Sequence, residues 1–358
     1  MILRPGKVHW PLRVGVLIAS LLFVLLAAEA FIRITIHQRG AAGAAASKSE
    51  SPEYAELPIL KGMFDLGRKN VRGMHKGVFF RTNSQRIRGP EYPQEAEAGV
   101  FRIAIVGDSV TMGEGVEESR AYPSLLGGML AEKMPDKRFE VINVGLSGSN
   151  TRLAMDRLEK AVEFYRPDLI VYGFTINDIE GPNYRAPTRN MEELKELQSN
   201  QWFVNSPLIV VRLIWWTLAA ANAPGASHRN WYAEELLYNY FGNESAKRDW
   251  DQELDRFPAL ARKKSICAHV LIHTHFNELD EDHPYLPIYQ MVVEAAEQRG
   301  LPVSPTFDRF SGVDPQTLRL HFADAHPNAE GHAILAQALA EGLSEMPMDC
   351  WQEADYGQ

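Results

Sequence analysis

The hydrophobic pattern of the chain alternates between short apolar runs and amphipathic stretches from residue 101 onwards. The runs at 101–106, 139–144 and 169–174 are rich in apolar, β-branched residues and lead into turn residues, as is typical of buried parallel strands. Between these runs, residues 122–134 and 151–165 carry apolar side chains at the spacing of one helix face. This β-α-β-α-β order predicts an α/β protein with a doubly wound, mainly parallel sheet and right-handed crossovers.

The same alternation returns in the C-terminal part of the chain. Residues 268–272 predict another strand, residues 285–298 a helix, and the residues around Val303 a short strand. A last helix is predicted from Pro327 to Leu343, because proline is well suited to the first turn of a helix. Before residue 101 there is no long periodic segment, and only residues 78–82 predict a short strand.

Residues 183–262 interrupt the alternation and are rich in aromatic side chains. They contain an apolar run at 208–220, but Arg212 lies inside it, and the run is shorter than the about 20 residues that span a bilayer. We interpret the whole stretch as an inserted helical subdomain that packs on the sheet. The alternatives are a cap that lines an acyl pocket and a surface that dips into the membrane interface.

The N-terminal segment is apolar and follows a group of positive charges. Residues 14–28 contain no charged side chain, and the apolar character extends to Ile36 if Glu29 and Arg33 are tolerated. This length is sufficient for a membrane-spanning helix, and the preceding positive charges favour a cytoplasmic N-terminus, which places the rest of the chain outside. A cleavable signal peptide is the alternative. The predicted organisation is a membrane anchor at residues 1–36, a flexible linker at 37–56 and an extracytoplasmic (periplasmic) domain at 57–358.

Composition and charge exclude some classes of function. The 358 residues carry a net charge of −9, with a pI near 5.7, whereas a nucleic-acid-binding surface would be basic. No nucleic-acid partner is therefore expected.

The only cysteines, Cys267 and Cys350, are too few for a disulfide scaffold, and the sequence leaves open whether they form one bridge or stay free.

The first long strand leads directly into Gly107-Asp108-Ser109. In open α/β sheets, ligands bind beyond the carboxyl ends of the strands, so a serine at this point is well placed to act as a nucleophile. The helical pattern resumes only after Gly113 and Gly115, so we expect a loop after Ser109 and not the strand-to-helix elbow of the α/β-hydrolases.

Two further polar groups follow the next two predicted strands. Gly148 follows the second strand, and a glycine there allows a backbone N–H to approach a bound anion closely. Asn177 follows the third strand and can donate from its side-chain amide, as oxyanion-stabilising groups do. The alternative for both residues is an ordinary role in a turn.

A candidate base lies near the C-terminus, in the sequence Asp324-Ala325-His326-Pro327. If Pro327 opens the last helix, His326 lies in the loop before it and is free to point across the edge of the sheet. A histidine there, oriented by Asp324, completes a set of nucleophile, base and orienting acid. A solvated loop histidine is the alternative.

Together these motifs resemble those of the SGNH hydrolases, also called GDSL-like esterases, over about residues 77–345 without the aromatic insertion. The matching blocks are Gly107-Asp108-Ser109, Ser147-Gly148, Gly173 to Asp178 and Asp324 to Asn328. The resemblance implies a flavodoxin-like sheet and a serine esterase that needs neither a cofactor nor a metal ion. It also implies the site roles: Ser109 as nucleophile, His326 as general base, and the Ser109 N–H, the Gly148 N–H and the Asn177 amide as the oxyanion hole.

One position departs from the family pattern. The family usually carries its acidic residue three positions before the histidine, where this chain has Ala323. Asp324, two positions before His326, is the nearest carboxylate, and we expect it to orient the imidazole. A backbone carbonyl, which takes this role in some members of the family, is the alternative.

The implied substrate is an ester, such as an acylated carbohydrate or lipid. Hydrolysis is the expected outcome. One alternative is transfer of the acyl group to an envelope polysaccharide, as in anchored acetyltransferases of this superfamily, and another is a non-catalytic envelope scaffold.

A metal site is a further alternative, because some of the polar residues at 269–283 share one face of a predicted strand. These residues are His269, His273 and His275, with Asp280, Asp282 and His283 shortly after them. A polar strand end that enters a loop explains them without a metal ion, and no metal site is predicted.

Overall fold

The computed structural model describes residues 14–33 without 18, 21, 22 and 32, and residues 57–60, 65–185, 206–208, 210–211, 231–276, 278–321, 324–354 and 356. The chain forms two compact units, one from Met1–Glu50 with Pro187–Arg229 and one from Ser51–Ala186 with Asn230–Gln358. The stretch 183–262, expected to be one insertion, is thus divided between the two units. The predicted linker at 37–56 and most of the apolar run at 208–220 lie outside the described residues.

In the first unit, the described residues between 14 and 33 are helical. The buried carboxylate of Glu29 accepts hydrogen bonds from Arg33 Nε (2.6 Å) and from the backbone N–H of Val210 (2.8 Å). Large apolar side chains of the same segment are exposed, namely Leu17, Phe23, Val24, Leu26 and Phe31. Among the described residues, no helix is both long enough and apolar enough to cross a membrane. The anchor at residues 1–36 therefore stays a prediction.

The second unit contains a parallel sheet of five strands. The described strands of this unit are β1 (Arg72–His75), β2 (Val78–Arg81), β3 (Val100–Gly107), β4 (Arg138–Asn143), β5 (Leu169–Phe174), β6 (Cys267–Ile272), β7 (Val303–Pro305), β8 (Arg319–His321) and β9 (Asp324–Pro327). The central sheet has the order β4-β3-β5-β6-β7, and every neighbouring pair in it is parallel. This is the strand order of flavodoxin-like proteins, so the predicted doubly wound parallel sheet is confirmed.

Helices cover both faces of this sheet. The described α-helices of this unit are α1 (Ser109–Met112), α2 (Tyr122–Lys133), α3 (Thr151–Tyr165), α4 (Trp231–Leu237), α5 (Glu244–Lys264), α6 (Leu286–Gln298), α7 (Phe307–Phe310) and α8 (Ala329–Ser344). Successive side chains of β3 point to opposite faces. Ile103 and Ile105 accordingly pack with α2 and α8, whereas Ala104 and Val106 pack with α3, α5 and α6. The strand is buried on both faces, which explains why it reads as one continuous apolar run.

Two local expectations were wrong. A helical turn, α1, begins at Ser109 itself, because the Asp108 side chain caps it by accepting a hydrogen bond from the Val110 N–H (2.9 Å). The last helix begins at Ala329, capped by Asn328, so Pro327 lies before the helix and not in its first turn. Residues 324–327 instead form β9, which pairs with β8 in an antiparallel manner. His326 therefore lies on a short strand and not in a loop.

The structure also settles the state of the two cysteines. Cys267, at the start of β6, forms a disulfide bond with Cys350, which lies 83 residues later and beyond the last helix. The bridge fastens the C-terminal segment to the amino end of β6. Trp351, next to Cys350, is buried against Phe101 of β3, so this segment is part of the core of the second unit.

Candidate active site

Ser109 follows β3, the strand at which the order of strands in the sheet changes direction. Strand β3 is flanked by β4 on one side and β5 on the other, so a crevice opens at its carboxyl end. Ser109 is the first residue of α1, directly after the capping Asp108, and its side chain lines a cavity of about 430 Å³. The sequence places a strand, a cap residue and a one-turn helix in succession, and this succession fixes the hydroxyl at the cavity wall.

His326 and Asp324 form a continuous line of hydrogen bonds with Ser109. The Ser109 Oγ lies 2.8 Å from Nε2 of His326, and Oδ1 of Asp324 lies 2.5 Å from Nδ1 of the same ring. Because a carboxylate only accepts, Nδ1 carries the proton and Nε2 is left as an acceptor for the serine hydroxyl. The three residues predicted from the sequence are therefore brought together, and the side chain of Asp324 reaches the imidazole despite its unusual spacing.

The short strand β9 explains how a spacing of two residues is sufficient. In a strand, residues i and i+2 point to the same face, so the Asp324 carboxylate and the His326 ring lie side by side. Asp324 Oδ1 also accepts from the backbone N–H of His326 (3.2 Å), which fixes its orientation further. A loop, as expected from the sequence, would not impose this shared direction.

The hydrogen bonds of this line shift two pKa values in opposite directions. Burial acts against ionisation of Asp324, but hydrogen bonds from His326 and from Lys76 outweigh it and hold the pKa of Asp324 well below its usual value. Burial also disfavours the charged form of His326, but the hydrogen bond to Asp324 outweighs this and raises the pKa of His326 above its usual value. Asp324 is therefore ionised and His326 is made a better proton acceptor.

The three expected oxyanion donors line the same cavity. They are the backbone N–H groups of Ser109 and Gly148 and the side-chain amide of Asn177. In the part of the chain that the structure describes, none of these three groups has a hydrogen-bond partner. Gly148 has a φ of +71°, a conformation that glycine adopts without strain and other residues rarely do. Its conformation thus requires the glycine that the sequence places there.

A second set of hydrogen bonds fixes Asp108, the residue that precedes Ser109. Thr175 donates from Oγ1 to Asp108 Oδ1 (2.9 Å), and its Oγ1 also lies 2.9 Å from Nδ1 of His273. Burial raises the pKa of Asp108, and burial lowers the pKa of His273 to about 3. His273 is therefore a neutral donor to Thr175, and this chain of contacts fixes the residue that caps the helix of Ser109.

The histidines weighed as metal ligands have other partners. His269 Nε2 bonds Ser304 Oγ at 2.8 Å, and His273 bonds Thr175. Within the described ranges, no group of three or more histidine, cysteine, aspartate or glutamate side chains is placed to hold a metal ion.

Two charged residues beside the site were missed by sequence reasoning. Lys76, from the turn between β1 and β2, lies 2.6 Å from Asp324 Oδ2 and 2.8 Å from Glu114 Oε1. Glu114 follows α1 and also accepts from Ser147 Oγ (2.5 Å). Lys76 is 248 positions from Asp324, and no local pattern signals a contact over that separation.

Several solved structures are similar to the chain. Among solved structures, it is similar to TesA (16% identity, 68% of this chain and 97% of that chain, TM-score 0.42). It is also similar to Axe2, an acetylxylan esterase from Geobacillus stearothermophilus (19% identity, 69% and 95%, TM-score 0.39). A third similar structure is a two-domain esterase active on acetylated mannans (16% identity, 72% and 53%, TM-score 0.39). No curated protein sequence matches the chain significantly.

The family model is the more specific finding. The model of the GDSL-like lipase/acylhydrolase family matches residues 105–334, which is more than half of the 358 residues and includes every site residue named above except Lys76. The resemblance seen in the sequence motifs is confirmed at the level of the family. The chain therefore belongs to the GDSL-like lipase/acylhydrolase family and is an ester-cleaving hydrolase.

Proposed function

We propose that the chain is a serine esterase that forms an acyl-enzyme on Ser109. The observation that carries the proposal is the hydrogen-bonded line from Asp324 through His326 to Ser109, which ends at a cavity lined by unpaired donors. Nucleophilic catalysis needs a hydroxyl in contact with a base, a group that orients the base, and donors for the developing negative charge. All of these groups are within one cavity.

In the first half of the reaction, Ser109 Oγ attacks the carbonyl carbon of the ester while His326 Nε2 takes the hydroxyl proton. The carbonyl oxygen becomes negatively charged and accepts hydrogen bonds from the N–H groups of Ser109 and Gly148 and from the amide of Asn177. When the tetrahedral intermediate collapses, the bond to the alcohol oxygen breaks. The departing alcohol takes the proton from His326, and the acyl group remains on Ser109.

In the second half, water enters and gives a proton to His326 Nε2 as its oxygen attacks the acyl carbon. The bond to Ser109 Oγ then breaks, the acid leaves, and the proton returns from His326 to Ser109. Asp324 remains a carboxylate throughout and stabilises the imidazolium that forms twice in each cycle. The lowered pKa of Asp324 supports this role, because the residue then stays ionised below the pH at which an ordinary aspartate is protonated.

The lining of the cavity supports a polar alcohol as the leaving group. Besides the site residues, the lining includes several polar side chains, namely Glu114, Ser147, Thr175, Tyr232, Thr274 and His275. The hydroxyl groups of a sugar would find polar groups beside them there. We therefore propose an acylated carbohydrate as the substrate class.

We also propose that the second unit acts outside the cytoplasm and that the N-terminal segment attaches it to the membrane. The positive charges before residue 14 and the exposed apolar side chains between residues 17 and 31 support attachment. The Cys267–Cys350 disulfide supports an oxidising compartment. In inverted membrane vesicles, protease added outside should leave the second unit intact, and its digestion would refute this orientation. A mature N-terminus near Phe31 would refute only the anchor.

Ester turnover by the purified full-length protein tests the function. Sugar esters of graded acyl length should be cleaved to free acid, and the Ser109→Ala variant should be inactive while keeping its melting temperature. Adding a sugar acceptor separates hydrolysis from transfer, because a transferase would form a new acyl-sugar in place of free acid. Absence of turnover on every ester would favour a non-catalytic scaffold.

A further inference from the structure

Lys76 occupies an unusual position at the tip of a hairpin. Strands β1 and β2 are joined by the two residues Lys76 and Gly77, which have φ values of +48° and +85°. A two-residue hairpin turn with both φ values positive usually carries asparagine or aspartate at its first position, and glycine second. Lysine is disfavoured in this conformation. Lysine is thus unfavourable for the backbone of this turn, and the contacts of its side chain account for its presence there.

Those surroundings are two carboxylates that belong to the site. The Lys76 ammonium lies between Asp324 Oδ2 (2.6 Å) and Glu114 Oε1 (2.8 Å). Glu114 is buried and receives two further contacts, from His75 Nε2 (3.2 Å) and from Ser147 Oγ (2.5 Å). The oxygen of Asp324 that Lys76 contacts is the one that His326 does not use.

We propose that Lys76 is a positioning residue that holds the Asp324 carboxylate against His326 and keeps Glu114 from displacing it. The proposal deepens the proposed function, because it concerns how the same line of residues is kept in place. The carboxylates of Asp324 and Glu114 both contact the Lys76 ammonium. Without the ammonium, two negative charges would lie close together with no cation between them. The resulting repulsion would turn the Asp324 carboxylate away from Nδ1 of His326.

The departure from the family spacing gives this contact its importance. Asp324 lies at the start of a four-residue strand, and both contacts from His326, the ring Nδ1 and the backbone N–H, go to its Oδ1. One oxygen is held by the histidine and the other by Lys76. Without the second contact, the carboxylate could rotate about its terminal torsion, which is broad in aspartate.

The groups around His326 shift its pKa in opposite directions. The titratable or charged groups around the ring are Asp324, Lys76, Glu114, His75, Asp108 and His332. The positive charge of Lys76 lowers the pKa of His326 and the negative charge of Glu114 raises it. Loss of the Lys76 charge alone would raise the pKa of His326, but loss of the Asp324 hydrogen bond, which acts more strongly on that pKa, would lower it. Neutralising Lys76 should therefore lower the pKa of His326 if Lys76 positions Asp324, and neutralising Glu114 should lower it through the loss of a negative charge.

Nuclear magnetic resonance titration of the His326 ring tests the proposal directly. The full-length protein would be titrated as wild type and as Lys76→Met, Lys76→Arg and Glu114→Gln, with the His326 signal identified by its loss in His326→Gln. The pKa of His326 should fall in Lys76→Met, fall in Glu114→Gln and stay near the wild-type value in Lys76→Arg. An unchanged or raised pKa in Lys76→Met would overturn the proposal, because a rise is the effect of losing the positive charge while Asp324 stays in place.

Kinetics supply the second readout. In Lys76→Met, kcat should fall about 10- to 100-fold with a smaller change in KM, because the displaced group orients the base and does not bind substrate. Lys69→Met is the matched control, since Lys69 is exposed on the same unit, and it should behave like the wild type. If Lys76→Met fails to fold, Lys76→Gln takes its place, with the same expected falls in kcat and in the pKa of His326.

The two proposals can fail separately. If Ser109→Ala is inactive but Lys76→Met keeps wild-type kinetics and the wild-type pKa of His326, only the positioning role is wrong. If Ser109→Ala retains full activity, the serine mechanism is wrong, and the titration still reports whether Lys76 acts on His326.

Discussion

Replacing Asp324 with asparagine tests the least expected member of the site. The substitution keeps the shape of the side chain but removes its charge and gives it an N–H₂ donor. In the wild type, Asp324 Oδ1 is the acceptor for the Nδ1 proton of His326 at 2.5 Å, and no other acceptor for that proton is seen among the described residues. An asparagine amide can instead donate to Nδ1, which favours the tautomer that carries its proton on Nε2. That tautomer cannot accept the proton of Ser109.

The magnitude follows from the loss of the correct tautomer. The same change in a serine protease triad lowers kcat by about 10⁴-fold. Here the acid is also partly exposed, so we expect a loss of about 10³- to 10⁴-fold in kcat. At about 1.36 kcal/mol for each factor of ten, this is about 4 to 5.5 kcal/mol of transition-state stabilisation.

The assay is steady-state hydrolysis of a chromogenic acetate ester by the wild type and by Asp324→Asn. The expected result is a fall in kcat with little change in KM, because Asp324 acts through His326. The double variant Ser109→Ala with Asp324→Asn should be no worse than Ser109→Ala alone, since the residues act as one unit. A loss of less than about 10-fold in Asp324→Asn would refute the orienting role and leave a pair of Ser109 and His326.

Three other predictions concern pH, the oxyanion hole and the disulfide. Because the pKa of His326 is raised and the base must be neutral, kcat/KM should fall on the acid side, with a midpoint above the usual 6.5 in a pH–rate profile. Asn177→Ala should lower kcat by about 10²- to 10³-fold in the same ester assay, because one donor to the oxyanion is lost. Replacing Cys267 and Cys350 with serine opens a loop of 83 residues and should lower the free energy of unfolding by about 4.5 kcal/mol in urea titrations.

Each of these has a result that would contradict it. A pH–rate profile that stays flat well below the usual pKa of histidine would mean that His326 is not the base. Full activity in Asn177→Ala would remove that amide from the oxyanion hole. An unfolding free energy equal to that of the wild type in the cysteine variant would mean that the disulfide does not constrain the unfolded chain.

The sheet and the ends of its strands could be predicted because their signals are local. A strand buried on both faces reads as an uninterrupted apolar run, and β5 begins and ends where its run does. Ser109, Gly148 and Asn177 follow three such runs, so their meeting at one edge of the sheet follows from the topology. The α1 turn at Ser109 was missed although Asp108 is a favoured helix cap, because the two glycines after it suggested a loop.

Contacts that depend on distant parts of the chain could not be predicted. Nothing near Lys76 indicates that its hairpin reaches Asp324, and nothing near Cys267 indicates that Cys350 lies beside it. The strand that carries His326 is four residues long and forms only because β8 pairs with it. Its short length gives no periodic signal, so the sequence suggested a loop.

Trapping of the acyl-enzyme tests the central claim most directly. The wild type, Ser109→Ala and His326→Ala would be mixed with an activated acetate ester, quenched in acid within the first turnover, digested and examined by peptide mass spectrometry. We predict one acetyl group on Ser109 in the wild type, none at that position in Ser109→Ala, and a strongly slowed appearance in His326→Ala. An acetyl group on a different residue, or undiminished turnover by Ser109→Ala, would contradict the account.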